Sequence, residues 1–301
     1  MVITRITGGL GNQLFQYAAG RALAATTGAK LKLDTHWFRR GAQRESHEAF
    51  ALGPYDANCA IAAPADLSRV QGLGRTWPQR IGAAIQRGAL AVRGTRGLIP
   101  RRGDGDFSFN PEFFSWSGDV YLDGNWQSER YFAPIADDLR VRLRTYRPDD
   151  EQVIALGTEI DSGTSAFVHV RRGDYVSHNH FKREIGALDT GYYNKALGLL
   201  KSVGTCRLFV FTNDPEWARQ HLPRESRILG PEEVPSAHDV LWLMARCHHA
   251  VIANSSLSWW GAWRDWQPGK VVCAPYPWFS DSWRNTRDLL PAAWLQLPRS
   301  V

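Results

Sequence analysis

The sequence predicts an α/β protein with parallel sheets in two successive halves. Three observations carry this. The chain opens strand, glycine turn, helix, strand, the start of a β-α-β unit whose strands lie parallel. After residue 150, short apolar runs alternate with helical segments, which argues for a second parallel sheet. The 301 residues, 44% of them hydrophobic, suffice for two domains, or one large one, with a well-buried core.

The elements follow in order. Val2–Thr7 alternates and is β-branched, so it reads as a strand, and Gly8, Gly9 and Gly11 form a turn. Asn12–Thr27 reads as a helix with Leu14, Ala18, Ala22 and Ala25 along one side, and Lys30–Asp34 as a second strand. Between Asp66 and Asp104 there is no acidic residue, yet eight arginines occur: Arg69, Arg75, Arg80, Arg87, Arg93, Arg96, Arg101 and Arg102. Within that stretch Trp77, Ile81 and Ile85 are spaced by four, the mark of an amphipathic basic helix. Such a helix either lies on an anionic membrane face or packs its apolar stripe on the core. Aromatic clusters come next, with a strand at Val120–Asp123 and a helix at Ile135–Leu143. The polar Tyr146–Asp150 segment, which contains Pro148, marks a boundary between domains 1–148 and 149–301. In the second half Ser165–Val170, Leu208–Thr212, Ala250–Ala253 and Lys270–Ala274 read as strands, and Tyr192–Ser202, Pro215–His221 and His238–Arg246 as helices. Two Rossmann-like domains facing each other across a cleft would make the GT-B architecture of many nucleotide-sugar transferases.

Composition narrows the function. Aromatics at 12% and the absence of low-complexity tracts exclude disorder, collagen and coiled coil. The net charge of +6 suggests an anionic partner: nucleic acid, a membrane surface or a phosphorylated ligand. Nearly all of the 36 basic residues are arginine, which suits bidentate phosphate recognition, although genomic base composition accounts for such a skew equally well. No nucleic-acid motif occurs. Cys59, Cys206, Cys247 and Cys273 are scattered without a CxxC pair, so neither a zinc ribbon nor a disulfide framework is indicated and a reducing compartment is the simplest expectation. The N-terminus lacks the usual form of a signal peptide and no apolar run is long enough to span a membrane. Of the 13 tryptophans, nine follow residue 215, which marks them as core of the second half more than as a sugar platform.

Four motifs could carry chemistry. Gly8-Gly9-Leu10-Gly11-Asn12-Gln13 follows a strand and opens a helix, where backbone approaches a ligand and helix amides point at it. The dinucleotide fingerprint needs a glycine where Leu14 stands, yet Asp34 ends the second strand where a ribose-binding acid would sit, so an NAD-dependent oxidoreductase stays open as an alternative. Asn12, Gln13 and Gln16 suit a hydroxyl-rich ligand better than pyrophosphate. His169-Val170-Arg171-Arg172-Gly173-Asp174-Tyr175 projects from the carboxyl edge of a sheet. Its adjacent guanidiniums are costly to crowd unless an anion such as a diphosphate joins them, with Asp174 orienting one arginine; a surface ion-pair loop is the plainer alternative. Asn254-Ser255-Ser256 offers short hydroxyls to phosphate oxygens, while Trp259, Trp260 and Trp263 behind it read as core. Thr212-Asn213-Asp214 ends another strand, and the aspartate either accepts from guanine N–H groups or caps the helix at Pro215.

Metal signals are weak. Asp104-Gly105-Asp106 spells DxD, but no apolar strand precedes it. His178-Asn179-His180 and Cys247-His248-His249 lack convincing further ligands. No metal is expected.

Together, GGLGNQLFQ, DGNWQSERYF, HVRRGDY, FTND and NSSLSWWGAW resemble the α1,2-fucosyltransferases, inverting enzymes of bacterial surface glycans and blood-group-type structures. HxRRxD alone is shared with α1,6- and protein O-fucosyltransferases; the five motifs in this order are specific and extend over most of the chain. The resemblance implies a metal-independent GT-B enzyme that moves L-fucose from GDP-fucose to the 2-hydroxyl of a terminal galactose in surface-glycan synthesis. It implies Arg171 and Arg172 on the diphosphate, with Asp174, as the catalytic set. His169, Asn213, Asp214, Asn254, Ser255 and Ser256 would bind the donor in the second domain. Gly9, Gly11, Asn12, Gln13, Trp126 and Gln127 would face fucose and acceptor in the first. Asn125 stands where the family usually carries an aromatic. General-base candidates are Asp34, His178, His180, Glu184 and Asp189. Because animal relatives are Golgi-anchored, the expected setting is bacterial and cytoplasmic. A galactose-terminated oligosaccharide or lipid-linked glycan is the expected acceptor, and the Arg69–Arg102 stretch would rest on anionic inner-leaflet lipid. A non-enzymatic carbohydrate-binding protein, exploiting the tryptophans, is the remaining alternative.

Overall fold

The computed structural model describes residues 1–39, 49–56, 59–71, 107–204, 206–280 and 283–299. The acid-free stretch beyond Gln71, its Trp77–Ile81–Ile85 stripe and the Asp104–Asp106 pair lie outside the described residues, as do the side chains of Asp174 and His180. The chain divides into two compact units, Met1–Arg142 with Arg287–Leu289, and Leu143–Thr286 with Leu290–Val301.

In the first unit the elements are β1 (Val2–Arg5), α1 (Leu10–Thr27), β2 (Leu31–Asp34), α2 (His36–Arg39), β3 (Ala60–Ile61), α3 (Pro64–Gln71), β4 (Val120–Leu122) and α4 (Ala136–Leu143). The strands form one parallel sheet in the order β3-β2-β1-β4, with Val2 opposite both Leu31 and Val120. The alanine-rich α1 buries Leu14, Phe15, Ala18, Ala19, Ala22 and Leu23. Its Phe15 meets Phe132, and Phe113, Trp116, Trp126 and Tyr131 stack edge-to-face beside it as an aromatic core.

The second unit holds α5 (Glu151–Asp161), β5 (Ser165–Val170), α6 (Gly173–Ser177), α7 (Asn179–Glu184), α8 (Thr190–Ser202), β6 (Arg207–Thr212), α9 (Pro215–His221), β7 (Arg227–Leu229), α10 (Ala237–Arg246), β8 (His249–Val251), α11 (Ser256–Arg264), β9 (Val272–Tyr276) and β10 (Leu295–Pro298). Its six strands are all parallel, in the order β10-β9-β8-β5-β6-β7. Central β5 is buried along its whole length, so it reads as a continuous apolar run rather than an alternation. Ala166, Val168 and Val170 pack against Tyr192, Tyr193, Ala196 and Leu200 of α8 on one face. On α11, Trp259, Trp260 and Trp263 are buried, with Trp259 stacked on Trp263 and Trp260 edge-on to both, the core role expected of them.

The expected α/β class with parallel sheets is therefore present in each unit. The short helices α2, α3, α6 and α7 are unassigned in sequence, and two longer ones also differ from the sequence reading. Helix α5, unassigned in sequence, is started by Asp150, whose carboxylate accepts from the Gln152 N–H. Helix α11 begins inside the serine run that reads as a turn, at Ser256.

Both sheets have a switch point. From β5 the chain builds outward through β6 and β7, then returns to place β8 on the other side of β5. From β1 it builds through β2 and β3, then returns to place β4 on the other side of β1. Crevices at the carboxyl ends of such strand pairs are where α/β sheets bind ligands.

Candidate active site

In the second unit, the loops after β8, β5 and β6 emerge side by side at one sheet edge. They carry Asn254–Ser256, Arg171–Arg172 and Asn213–Asp214. Three of the four sequence motifs thus meet at one switch point.

Arg172 is held from several directions. Its backbone N–H donates to Asn213 Oδ1 at 2.8 Å. Its Nε donates to Asp214 Oδ2 at 3.2 Å. Its guanidinium lies 4.4 Å from the centre of the Trp217 ring, a cation–π contact that fixes the plane of the fork. Gly173 is required here: a Cβ at that position would sit 2.5 Å from Asn213 Nδ2. Arg171 lies over the Tyr175 ring, and the Tyr175 hydroxyl donates to the Asn254 carbonyl at 3.4 Å, tying the β5 loop to the β8 loop.

Asp214 performs two tasks at once. Oδ1 caps α9 by accepting from the Trp217 N–H, while Oδ2 accepts from Arg172. Asp214, in the loop after β6, is therefore one partner that holds Arg172. Ser255 is extended and its side chain caps nothing, so its hydroxyl and the first amides of α11 remain suited to anion oxygens. Asn254 has a structural task as well: its Nδ2 donates to the carbonyls of Ile185, Gly186 and Trp278. Its buried Oδ1 has no partner among the described residues.

His169 is buried, and its carbonyl accepts from the Tyr193 hydroxyl at 3.1 Å. Burial, and secondarily Arg171, push its pKa down to about 3, so the imidazole is neutral. Its Nδ1 is buried without a partner among the described residues. Tyr192 and Tyr193 escaped sequence reasoning. Tyr192 donates toward the Ile252 carbonyl just past β8 and the Cys273 carbonyl early in β9, and Tyr193 donates to the His169 carbonyl near the end of β5. Two adjacent tyrosines on a helix give no sign in sequence of which strand ends they will pin.

In the first unit the expected residues also converge. The loop after β1 and the first turn of α1 carry Gly8–Gln13, the loop after β4 carries Trp126 and Gln127, and Gln127 Nε2 donates to Asn12 Oδ1 at 2.8 Å. Gly9 immediately precedes α1 and Gly11 is buried in its first turn. Gln13, though, is fully buried, and both ends of its amide are engaged within the protein. Its Nε2 donates to the Gly8 and Ala49 carbonyls and its Oε1 accepts from the Ala51 N–H. Gln16 is spent similarly on Thr7. Trp126 holds φ of +54°, unique among the described non-glycine residues, and its ring lies inside the aromatic core with Nε1 unpartnered among the described residues.

The carboxylate candidates for a general base are engaged elsewhere. Asp34 accepts from the Tyr121 hydroxyl at 2.6 Å and from both the N–H and the ring of His36. Burial raises its pKa, but these hydrogen bonds outweigh it and leave the carboxyl below its usual range. Asp189 caps α8, and Glu184 pairs with Arg284. Among the described residues no cluster of three or more His, Cys, Asp or Glu could hold a metal, and no helix is long and apolar enough to cross a membrane.

A family model described as Glycosyl transferase family 11 matches residues 109–297. The chain belongs to glycosyl transferase family 11. It is 30% identical to an alpha-1,2-colitosyltransferase of Escherichia coli, over 99% of each chain. It is 26% identical to the O-antigen biosynthesis glycosyltransferase WbnK of Escherichia coli, over 97% of this chain and 99% of that one. Among solved structures, the fucosyltransferase NodZ from Bradyrhizobium matches with a TM-score of 0.46 and 17% identity, over 86% of this chain and 91% of that one. This family 11 member is accordingly a glycosyltransferase. The oxidoreductase and the non-enzymatic carbohydrate-binding readings end there, and Asp34 belongs to the Tyr121–His36 network rather than to a nicotinamide ribose.

Proposed function

We propose that the chain is a galactoside α1,2-fucosyltransferase that transfers L-fucose from GDP-β-L-fucose to the 2-hydroxyl of a terminal galactose, with inversion, in surface-glycan (O-antigen-like) synthesis. The observation that carries the proposal is the Arg171–Arg172 pair at the switch point of the second sheet, in a family 11 chain. On this reading residues 149–301 hold the GDP-sugar and residues 1–148 supply the loops on the acceptor side.

The chemistry follows from charge. Breaking the fucosyl–phosphate bond leaves positive charge on the sugar and negative charge on GDP. The Arg172 guanidinium, already oriented by Asp214 and Trp217, stabilises that leaving group without reorganising, with Arg171 beside it. Ser255, Ser256 and the α11 amides take the remaining phosphate oxygens. In this proposal the arginines do what a DxD-bound cation does in other transferases, so activity persists in EDTA. The acceptor hydroxyl attacks from the opposite face and converts a β-linked donor to an α-linked product. His169, neutral and buried, supports the loop from below rather than exchanging protons with substrate.

The test is product analysis with GDP-fucose and a panel of β1,3- and β1,4-linked galactosides, with the linkage read by NMR. Arg171→Ala and Arg172→Ala are each expected to abolish transfer while leaving the melting temperature near that of the parent. Full activity in either variant, or a requirement for added Mn²⁺, overturns the proposal. A second reading is favoured by the 30%-identical colitosyl relative: the donor sugar is colitose, the 3-deoxy counterpart of fucose. Competition between the two GDP-sugars separates them. Where the acceptor is lipid-linked, the basic Arg69–Arg102 stretch is proposed to contact anionic inner-leaflet lipid from the cytoplasm. Charge reversal at Arg80, Arg87 and Arg93 is expected to weaken liposome binding, and unchanged binding removes that contact.

A further inference from the structure

The second unit has another arginine cluster, at the opposite edge of its sheet from the Arg171–Arg172 loop. Helices α10 and α11 end where β8 and β9 are about to begin, so Arg246 and Arg264, in their last turns, lie at the amino edge. There a cavity of about 290 Å³ is lined by Arg144, Arg147, Trp242, Arg246, Arg264 and Asp265. That volume is at the lower end of small-ligand pockets.

The charges in this cavity do not balance. Asp265 accepts from Arg144 Nε at 2.5 Å and from Arg264 Nε at 2.8 Å. Arg246 pairs with Asp161 and lies 4.5 Å over the Trp242 ring. Arg147 donates only to the backbone carbonyls of Arg144 and Tyr146 among the described residues. Four guanidiniums therefore face two carboxylates. Arg264 is only 4% exposed, and its buried Nη1 has no hydrogen-bond partner among the described residues. An unpaired donor on a buried cation is costly unless something accepts from it. Burial, then Arg264 and Arg147, lower the Arg246 pKa against the opposing pull of Asp265.

Helix ends explain only part of this. Cations at helix C-termini offset the partial negative charge there, which accounts for Arg246 and Arg264. Arg144 directly follows α4, so the same account reaches it in part, but Arg147 stands three residues further on, in neither α4 nor α5. The wall itself depends on close packing: a Cβ on Gly157 of α5 would come within 2.4 Å of the Trp242 ring.

We propose that this cavity is a second anion site, built for a phosphate- or diphosphate-type group and separate from the Arg171–Arg172 loop. Planar forks converging on one small space suit tetrahedral oxyanions, which accept several charge-assisted hydrogen bonds at once. The same chemistry is available from inorganic phosphates and from the phosphates of a lipid headgroup.

Inorganic pyrophosphate titrated calorimetrically into the full chain, under saturating GDP, tests this. One pyrophosphate per chain is expected to bind. The double variant Arg144→Ala/Arg147→Ala is expected to weaken that binding about tenfold or more, with GDP affinity unchanged. Both side chains are surface-exposed, so the variant retains the fold, and a melting curve checks it. No pyrophosphate uptake under GDP, or equal affinity in the double variant, overturns the proposal. Cosedimentation with phosphatidylcholine vesicles containing phosphatidylglycerol identifies the source. Vesicle binding that pyrophosphate displaces and the double variant loses assigns a headgroup, whereas pyrophosphate binding without such vesicle binding assigns a free anion.

Discussion

Replacing Asp214 by Asn tests how the Arg172 fork is aimed. Both carboxylate oxygens are occupied in the structure, Oδ1 by the Trp217 N–H and Oδ2 by Arg172 Nε. An amide has a single acceptor oxygen, so Asp214→Asn keeps one of the two bonds and turns a donor toward the other. A hydrogen bond to a charged group contributes about 1.5–3 kcal/mol. Arg172 is 20% exposed and Asp214 34% exposed, so solvent screening reduces this to about 1 kcal/mol. The expected loss is about 2–4 °C in melting temperature and about five- to tenfold in GDP affinity, since a loosened guanidinium must be ordered on binding. Calorimetry with GDP and with inosine diphosphate, which lacks the 2-amino group, separates orientation of Arg172 from base reading. If Asp214 orients Arg172, both ligands weaken by the same factor. Unchanged GDP affinity refutes the reasoning. So does a loss confined to GDP, which would assign the carboxylate to guanine.

Gly173→Ala is expected to push Asn213 off the Arg172 N–H and weaken GDP binding about tenfold with little loss of stability, because the clash is with one side-chain amide; calorimetry beside a melting curve reads both. Gln13→Ala, which strands three buried backbone partners, is expected to cost about 3 kcal/mol in urea unfolding. A near-neutral result would return Gln13 to the ligand-facing role its motif suggests. His169 has a native pKa of about 3, below its unfolded value of about 6.5. The unfolded chain therefore takes up the extra proton, and stability is full above about pH 6.5 and lost as pH falls toward 3. Between pH 6 and 4.5 the parent should lose stability faster than His169→Asn, and parallel slopes in chemical denaturation would contradict the assignment.

Much of this architecture is legible in local sequence. SAFVHV and LFVFT are readable because parallel central strands, covered on both faces, need continuous apolar residues. The arginine loop is placed correctly because it directly follows such a strand. Helix α11 is harder to read: its serines favour turns and caps locally, and only the burial of Trp259, Trp260 and Trp263 makes that segment helical. Helix α5 carries a cap signal in Asp150 that precedes an apolar face including Val153, Leu156 and Ile160, so its start is written in local sequence.

The assignment of polar side chains is where local reasoning ends. The sequence by itself determined that arginine- and serine-bearing loops follow apolar strands, that the chain carries the motif set of a sugar transferase, and that its tryptophans serve a core. Only the tertiary structure decided which polar groups are spent holding the scaffold and which remain for chemistry. Gln13 is taken by Ala49, 36 residues away, Asn254 by Ile185, 69 residues away, and Asp214 by Arg172, 42 residues away. The physical reason is that a buried donor or acceptor must be satisfied by whatever folding brings beside it, and no spacing along the chain records that neighbour. The Arg144–Arg147–Arg246–Arg264 cavity has the same origin: its arginines come from three separate segments and acquire a common purpose only when the ends of α10 and α11 meet.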